Sequence, residues 1–206
     1  MRVVRPVRRP VAALWVAAAG LVLTIIASLG ALDGAVSGAE RAVFRAINGL
    51  PDWLERTMWA LQLLGVLVTP VVVAVVVLLT RRWRPALALL LLVPLKLVTE
   101  RQVLKKLVER QRPGQNEPGA VLRDVPPAGL SYPSGHAIIA AGMLVILWPY
   151  LGRTGRVIAT LLALGVGVAR VYLGAHNPLD VVAGFGLGLL LGGLLTFLVG
   201  VHGSRA

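Results

Sequence analysis

Cysteine is absent from the 206 residues, which rules out a disulfide framework and any thiolate metal site. Acidic side chains are scarce: nine Asp and Glu stand against 21 Lys and Arg, a formal net charge of +12. Aromatics reach only 5% and do not interleave with the cations, so the basic excess is not read as a nucleic-acid interface. No internal repeat, low-complexity tail or polar linker divides the chain, and residues 1–206 are read as one domain.

What is abundant is hydrocarbon. A mean hydropathy of +0.80 with 57% apolar residues does not suit a soluble globule. Several apolar runs approach the roughly 20 residues that cross a bilayer core. Six spans are read: Val11–Leu32, Thr57–Leu79, Pro85–Leu104, Ala137–Leu151, Val157–Leu173 and Val181–Val201. The expected fold is therefore all-α, a six-transmembrane helical bundle. The second and sixth spans are plain, whereas the third has a short clean run, Ala86–Leu95, before Lys96, Glu100 and Arg101. Arg2, Arg5, Arg8 and Arg9 ahead of the first span look like the start of a secretory signal. The apolar length, however, exceeds the roughly 7–15 residues of a signal core, so a retained anchor is expected.

The arginines also set an orientation. The N-terminal group, then Arg81, Arg82 and Arg84, then Arg153 and Arg156 fall in alternate connections. The loop Asp33–Arg56 instead carries Asp33, Glu40, Asp52 and Glu55 against three arginines. The positive-inside rule puts both termini, with the basic segment 1–10, in the cytoplasm of a cell (inner or plasma) membrane. The connection 105–133 and the turn Arg170–Asp180 then meet at the extracytoplasmic face.

The connection Lys105–Pro133 is long for a bundle, and such loops are more often functional than idle. Its cations Lys105, Lys106, Arg110, Arg112 and Arg123, with Arg101 just before it, oppose the rule for an outer loop; an anionic ligand supplies a reason. Three polar islands read K-x6-R-P, P-S-G-H and R-x5-H-x3-D. Lys105 and Arg112, two turns apart, would share a helical face that Pro113 ends. An ammonium and a planar guanidinium together suit phosphoryl oxygens; a headgroup-facing basic stripe is the bland alternative. Ser134 is a natural N-cap, Gly135 permits close backbone approach, and the free amides of span four would face an anion. His136 sits in that first turn, unless it is only a surface histidine beside an ordinary cap. Asn177 and Pro178 suit a helix start. Asp180, four residues after His176, can accept a hydrogen bond from one imidazole nitrogen and leave the other to attack. Arg170 points at the same spot; a purely structural His–Asp tie is the alternative.

Two histidines and an aspartate could hold a metal, but three or four cations in one pocket would repel a divalent ion, so no metal is expected. Lys96 and Glu100, four apart, are read as neutralising each other inside the bundle or lining a substrate vestibule. His202 in the C-terminal tail is read as inert.

With these residues on the page, the chain resembles the membrane-integrated type-2 phosphatidic acid phosphatases, the lipid phosphate phosphatase family related to vanadium haloperoxidases. The resemblance covers nearly the whole chain, and the order and internal spacing of the three motifs carry it. One position departs: the family usually has Ser-Arg where this chain has Ala169-Arg170. The resemblance implies a hydrolase acting through a phosphohistidine on His176, oriented by Asp180. His136 would protonate the leaving oxygen and later activate water. Lys105, Arg112, Ser134, Gly135 and Arg170 would hold the phosphoryl oxygens, and no metal or organic cofactor is implied. The implied partners are the bilayer and a lipid phosphate or diphosphate: a polyprenyl diphosphate of the undecaprenyl or decaprenyl type first, then phosphatidylglycerol phosphate or phosphatidic acid. A non-hydrolytic lipid-phosphate binding protein or translocase is the alternative from another class; it would keep the cations but has no use for His176 beside Asp180. A structural bundle with basic loops would tolerate loss of both histidines.

Overall fold

The computed structural model describes residues 7–202; Arg2, Arg5 and the side chain of His202 lie outside the described residues. The chain is almost wholly helical. The first helix, α1 (Val11–Leu29), is uncharged along its length. Next, α2 (Gly38–Asn48) occupies the segment between the first two expected spans. Ser37 Oγ accepts from the Glu40 amide at its start, and Glu40, Phe44 and Asn48 form its buried stripe at i, i+4 and i+8. Two short helices, α3 (Glu55–Gln62) and α4 (Val68–Leu79), follow, then α5 (Trp83–Val98).

Helix α5 runs into a π-helical turn, Thr99–Leu104, and a last turn α6 (Lys105–Leu107). After α7 (Pro113–Asn116) come α8 (Gly135–Leu147), α9 (Arg153–Tyr172) and α10 (Pro178–Val199). The strands among the described residues are a single two-residue pair, β1 (Val7–Arg8) antiparallel to β2 (Val201–His202).

Among the described residues three helices are long and apolar enough to cross a membrane: α1, α9 and α10. Their outward residues are aliphatic; Leu21, Val22, Ile25, Ile26 and Leu29 of α1 are all exposed, as suits a surface facing lipid tails. The second expected span is not one straight helix. Its two halves, Asp52–Gly65 and Val68–Leu79, are bent by 65°. The break falls where Gly65 presses on α8: a Cβ there would lie 2.7 Å from His136 Cβ and 2.8 Å from its carbonyl oxygen. Helix continuity gives way to that approach.

Helix α10 is the axis of the packing, lying against α1 on one side and α8 on the other. Glycine makes both contacts close. On the α1 side, a Cβ on Gly186 would meet Thr24 and the Gly20 carbonyl; toward α8, Gly184, Gly188 and Gly192 face Ser134, Ile138 and Gly142 in turn. Small residues every fourth position let two helix backbones approach in an apolar medium. The consequence for the site is direct: the start of α8 is locked onto the start of α10, where the Ser134 amide donates to the Asp180 carbonyl at 2.8 Å.

Gly188→Val tests this. Its Cβ would sit 2.5 Å from the Ile138 carbonyl and 3.0 Å from the Gly142 amide, backbone atoms that cannot step aside. Overpacking of this kind costs about 3 kcal/mol, so the melting temperature in detergent is expected to drop, with activity lost as the α8 start shifts. Unchanged melting would refute the close approach.

At the far end of the molecule, Arg84 donates to the Val199 carbonyl. Arg82 stacks 5.4 Å from the Tyr150 ring centroid and Arg156 5.2 Å from that of Trp148. The arginines of the two basic connections therefore gather at the same end as the β1–β2 pair.

Candidate active site

The loop 108–133 does not continue the helix. The chain leaves α6 at Val108, whose backbone is extended (φ −123°, ψ 90°), and stays extended to Arg112. Lys105 and Arg112 are thus not on one helical face, and Pro113 opens α7 at its first position rather than ending a helix. The extended segment has a period of two: Val108, Arg110 and Arg112 turn inward while Glu109 and Gln111 are exposed. It pairs with the return strand, Ser131 N donating to the Arg110 carbonyl at 2.8 Å.

Most of the cations in and beside this loop have protein partners. Arg123 donates to the carbonyls of Asn48 (2.9 Å) and Tyr172 (2.7 Å) and to Asp52 (2.8 Å), with its guanidinium 4.1 Å from the Tyr172 ring centroid. Asn48 from α2 bonds the Val121 amide and carbonyl, both at 2.8 Å. Arg110 is wholly buried against Glu40. Lys106 and Arg101 are exposed. Arg110 and Arg123 are thus held by carboxylates and carbonyls of other elements, which leaves Lys105 and Arg112 as the loop cations beside the other motifs.

Those two reach the other motifs. Arg112 donates to the Ala175 carbonyl at 2.9 Å, next to His176. Lys105 Nζ lies 3.2 Å from Glu100 and donates to the Leu130 carbonyl at 3.3 Å. Lys96 and Glu100 do form the expected internal ion pair, and both lie against Gly135, where a Cβ would be 2.6 Å from Lys96 Nζ and 3.0 Å from Glu100 Oε2. The cations acting on His136 are Arg170, Lys96 and Arg112. His176, Arg170 and Ser134 form the buried floor, and Lys105, Arg112, Gly135 and His136 the half-buried lip. Three stretches distant in sequence thus converge.

Helix-start expectations hold in part. At the start of α10 the return half of a capping box forms, the Asn177 amide donating to Asp180 Oδ2 at 2.9 Å with Pro178 at the first helical position, while Asn177 Oδ1 accepts no hydrogen bond. Ser134 occupies the N-cap of α8, but its hydroxyl makes no capping bond. Asp180 lies 3.6 Å from His176 Nδ1, beyond hydrogen-bond reach. Its nearer partners are the Asn177 amide, 2.9 Å from Oδ2, and Arg110, 3.2 Å from Oδ1. Arg110 went unassigned in the sequence reading, as did Gln62, which accepts from Arg170 through its side-chain oxygen. The alternation Val-Glu-Arg-Gln-Arg was the available signal for Arg110; the Gln62 contact crosses from α3 to α9 and has none.

Of the nine buried side-chain polar atoms without a hydrogen-bond partner among the described residues, four belong to the motifs: Ser134 Oγ, Arg170 Nε, His176 Nδ1 and Asn177 Oδ1. Buried polar groups are rarely left so. A hydroxyl and a guanidinium N–H are donors of the kind an oxyanion takes. No three His, Cys, Asp or Glu side chains among the described residues are grouped to hold a metal ion.

His176 lies between the spanning helices α9 and α10. Burial first, then the charges of Arg170, Arg112 and Lys105, hold its imidazole well below the ordinary value of 6.5. The ring is neutral, the form that can act as nucleophile. The unfolded chain takes up this proton near 6.5 and the folded chain only at much lower pH. Stability is therefore full above about pH 6.5 and falls as pH drops below it. Melting curves from about pH 7.5 to 5 should show that decline, flattened in His176→Gln; an equal decline in that variant would assign it elsewhere.

A model of the PAP2 superfamily matches residues 59–202. Phosphatidylglycerophosphatase B of Bacillus subtilis is 31% identical over 177 residues, 76% of this chain and 81% of its own length. The crystal structure of a transmembrane PAP2-type phosphatidylglycerolphosphate phosphatase from Bacillus subtilis superposes with a TM-score of 0.66 at 28% identity. It covers 89% of this chain and 94% of that one. An undecaprenyl-diphosphatase of Sulfolobus acidocaldarius is 35% identical over 97 residues, 47% of this chain and 45% of its own. The match runs from within α3 to β2 and takes in all three polar motifs: the chain belongs to the PAP2 superfamily.

Proposed function

We propose that this lipid phosphate phosphatase works through a covalent phosphohistidine on His176. The His176 Nε2 lone pair attacks phosphorus as the bond to the lipid oxygen breaks. His136 gives that oxygen a proton. Water then attacks the phosphohistidine, His136 takes its proton, and the P–N bond breaks to release inorganic phosphate. Lys105, Arg112 and Arg170, with Ser134 Oγ and the Gly135 amide at the start of α8, hold the phosphoryl oxygens and match the charge of the transition state. Asp180 keeps Nδ1 protonated and balances the charge the ring acquires. The observation that carries this reading is the set of unpartnered donors on Ser134 and Arg170 beside a buried neutral imidazole.

Residues 1–206 act as one integral-membrane domain with six crossings. The third is α5 with its π-helical turn, and the fourth is the short α8 with the turn after it. The basic end with both termini faces the cytoplasm, and the phosphate pocket opens on the extracytoplasmic side. The substrate keeps its tail in the bilayer while its headgroup enters the pocket. The likeness that spans most of the chain favours a glycerophospholipid monoester such as phosphatidylglycerol phosphate. A polyprenyl diphosphate is the second reading, supported by a relative alike over about half of either chain.

The test is phosphate release in detergent, with chelator, across lipid phosphates and polyprenyl diphosphates. Release from at least one class is expected. Binding of every lipid without release would identify a carrier instead.

A further inference from the structure

The polar group the sequence left unassigned lies directly behind the nucleophile. Arg110 is fully buried. It donates to both oxygens of Glu40 (2.9 and 2.5 Å), to Asp180 Oδ1 at 3.2 Å and to the Ala35 carbonyl at 2.8 Å. Glu40 Oε1 also accepts from the Leu179 amide at 2.9 Å, in the first turn of α10, so one carboxylate ties α2, the extended loop and the helix bearing Asp180. Asp180 has its other oxygen on the Asn177 amide and facing His176 Nδ1. The order from the imidazole outward is ring, carboxylate, guanidinium, carboxylate.

We propose that Arg110, clamped by Glu40, is a positioning residue for the His176–Asp180 pair: it keeps Asp180 ionised and aimed at the imidazole while the ring carries the phosphoryl group. This rests on the phosphohistidine reading above. The charge count fits it. One guanidinium between two carboxylates leaves a net charge of −1 beside a ring that is neutral before attack. Phosphorylation at Nε2, with Nδ1 still protonated, makes the ring cationic, and the cluster balances it. Without Arg110, two buried carboxylates would share the space with no cation between them, and buried like charges favour protonation. A protonated Asp180 no longer stabilises the charged ring.

The groups facing Asp180 can be named. His176 precedes it in the same helix start, Arg110, Arg112, Tyr132 and the Ser131 hydroxyl approach from the loop, and Glu40 acts from α2 through Arg110. Tyr132 shares a 2.8 Å hydrogen bond with Ser28. Arg112 also feels Glu100 and belongs to the phosphate cage, so Arg110 alone is free to serve Asp180.

The experiment uses the full chain and the double variant Arg110→Met/Glu40→Met, which removes the cation together with its counter-carboxylate and so leaves neither of that pair orphaned. Melting and size exclusion are read first. With a lipid phosphate that the wild type hydrolyses, kcat is expected to fall about 100-fold with KM within about threefold, and the acid limb of kcat to move up by about one pH unit. Wild-type kcat with an unmoved limb would overturn the proposal, since Arg110 would then only neutralise Glu40. If the double variant does not fold, Arg110→Lys decides, because a single ammonium cannot hold both carboxylates. A kcat loss of about tenfold with the same upward shift is expected, and wild-type values would overturn the proposal. Labelled phosphohistidine in the wild type is measured alongside. Its absence sinks the phosphohistidine reading itself, whereas its presence with unshifted variants sinks only the role of Arg110.

Discussion

Replacing His176 by alanine is expected to lower phosphate release by about 10⁴-fold or more, the order of loss when one member of a nucleophile unit is removed. The fold should survive. The ring is buried, its Nδ1 has no hydrogen-bond partner, and it otherwise faces the Ser131 backbone, so no other side chain is orphaned with it. Asp180 keeps its bonds to the Asn177 amide and to Arg110, and the start of α10 is untouched. The cavity left should cost about 1–3 kcal/mol, a modest fall in melting temperature. The decisive measurement is chemical. Brief exposure to phosphate-labelled lipid should leave an acid-labile, base-stable label on wild-type protein and none on His176→Ala. Label found at another residue would reassign the nucleophile, and full turnover in the variant would remove the covalent step altogether.

The parts of this molecule legible in the sequence are those fixed by short-range chemistry. The uncharged run of α1 and the glycine-rich run of α10 follow from composition. So does the start of α10, where Asn177, Pro178 and Asp180 supply N-cap residue, fixed φ and return bond within four residues. The structure brings the three motifs together as expected, although three helices among the described residues, or four with the bent pair counted as one span, are long and apolar enough to cross a membrane, not six. Competition between local and distant partners decided the rest. Lys105 and Arg112 at helical spacing predict a shared face, but the chain is extended from Val108, and Arg110 pairs with the backbone of Ser131, 21 residues on. The plain apolar run Thr57–Leu79 predicted one straight helix. It breaks because Gly65 must reach the backbone of His136, a contact that no hydropathy window contains. The loop cations looked like one cluster for one ligand. Arg110 and Arg123 are instead held by Glu40, Asp52 and backbone carbonyls of other elements, and burial of that kind is invisible to a charge count.

His136→Ala separates the two chemical steps. His136 stands in the first turn of α8, half-buried, its backbone pressed by Gly65, and Ser134, two residues before it, is anchored to the Asp180 carbonyl. Its ring is therefore placed by main-chain contacts, and alanine should remove the proton donor without moving Lys105, Arg112 or Arg170. The damage should then scale with the basicity of the leaving group. A lipid monoester expels a strongly basic alkoxide and needs that proton, so turnover is expected to fall by about 10²–10⁴-fold. A polyprenyl diphosphate expels a lipid phosphate, a far weaker base, and an aryl phosphate expels a phenolate. For both, formation of the phosphohistidine should slow much less. Its hydrolysis still lacks a base for water, so the variant should release one equivalent of phenolate per active site in a burst and then turn over slowly, with the label held on His176. Equal slowing of alkyl and aryl substrates with no burst would remove the acid role from His136 and leave it as part of the phosphate cage. The same comparison bears on the natural substrate: a large ratio between monoester and diphosphate losses means that the pocket needs an acid strong enough for an alkoxide, which only a monoester requires.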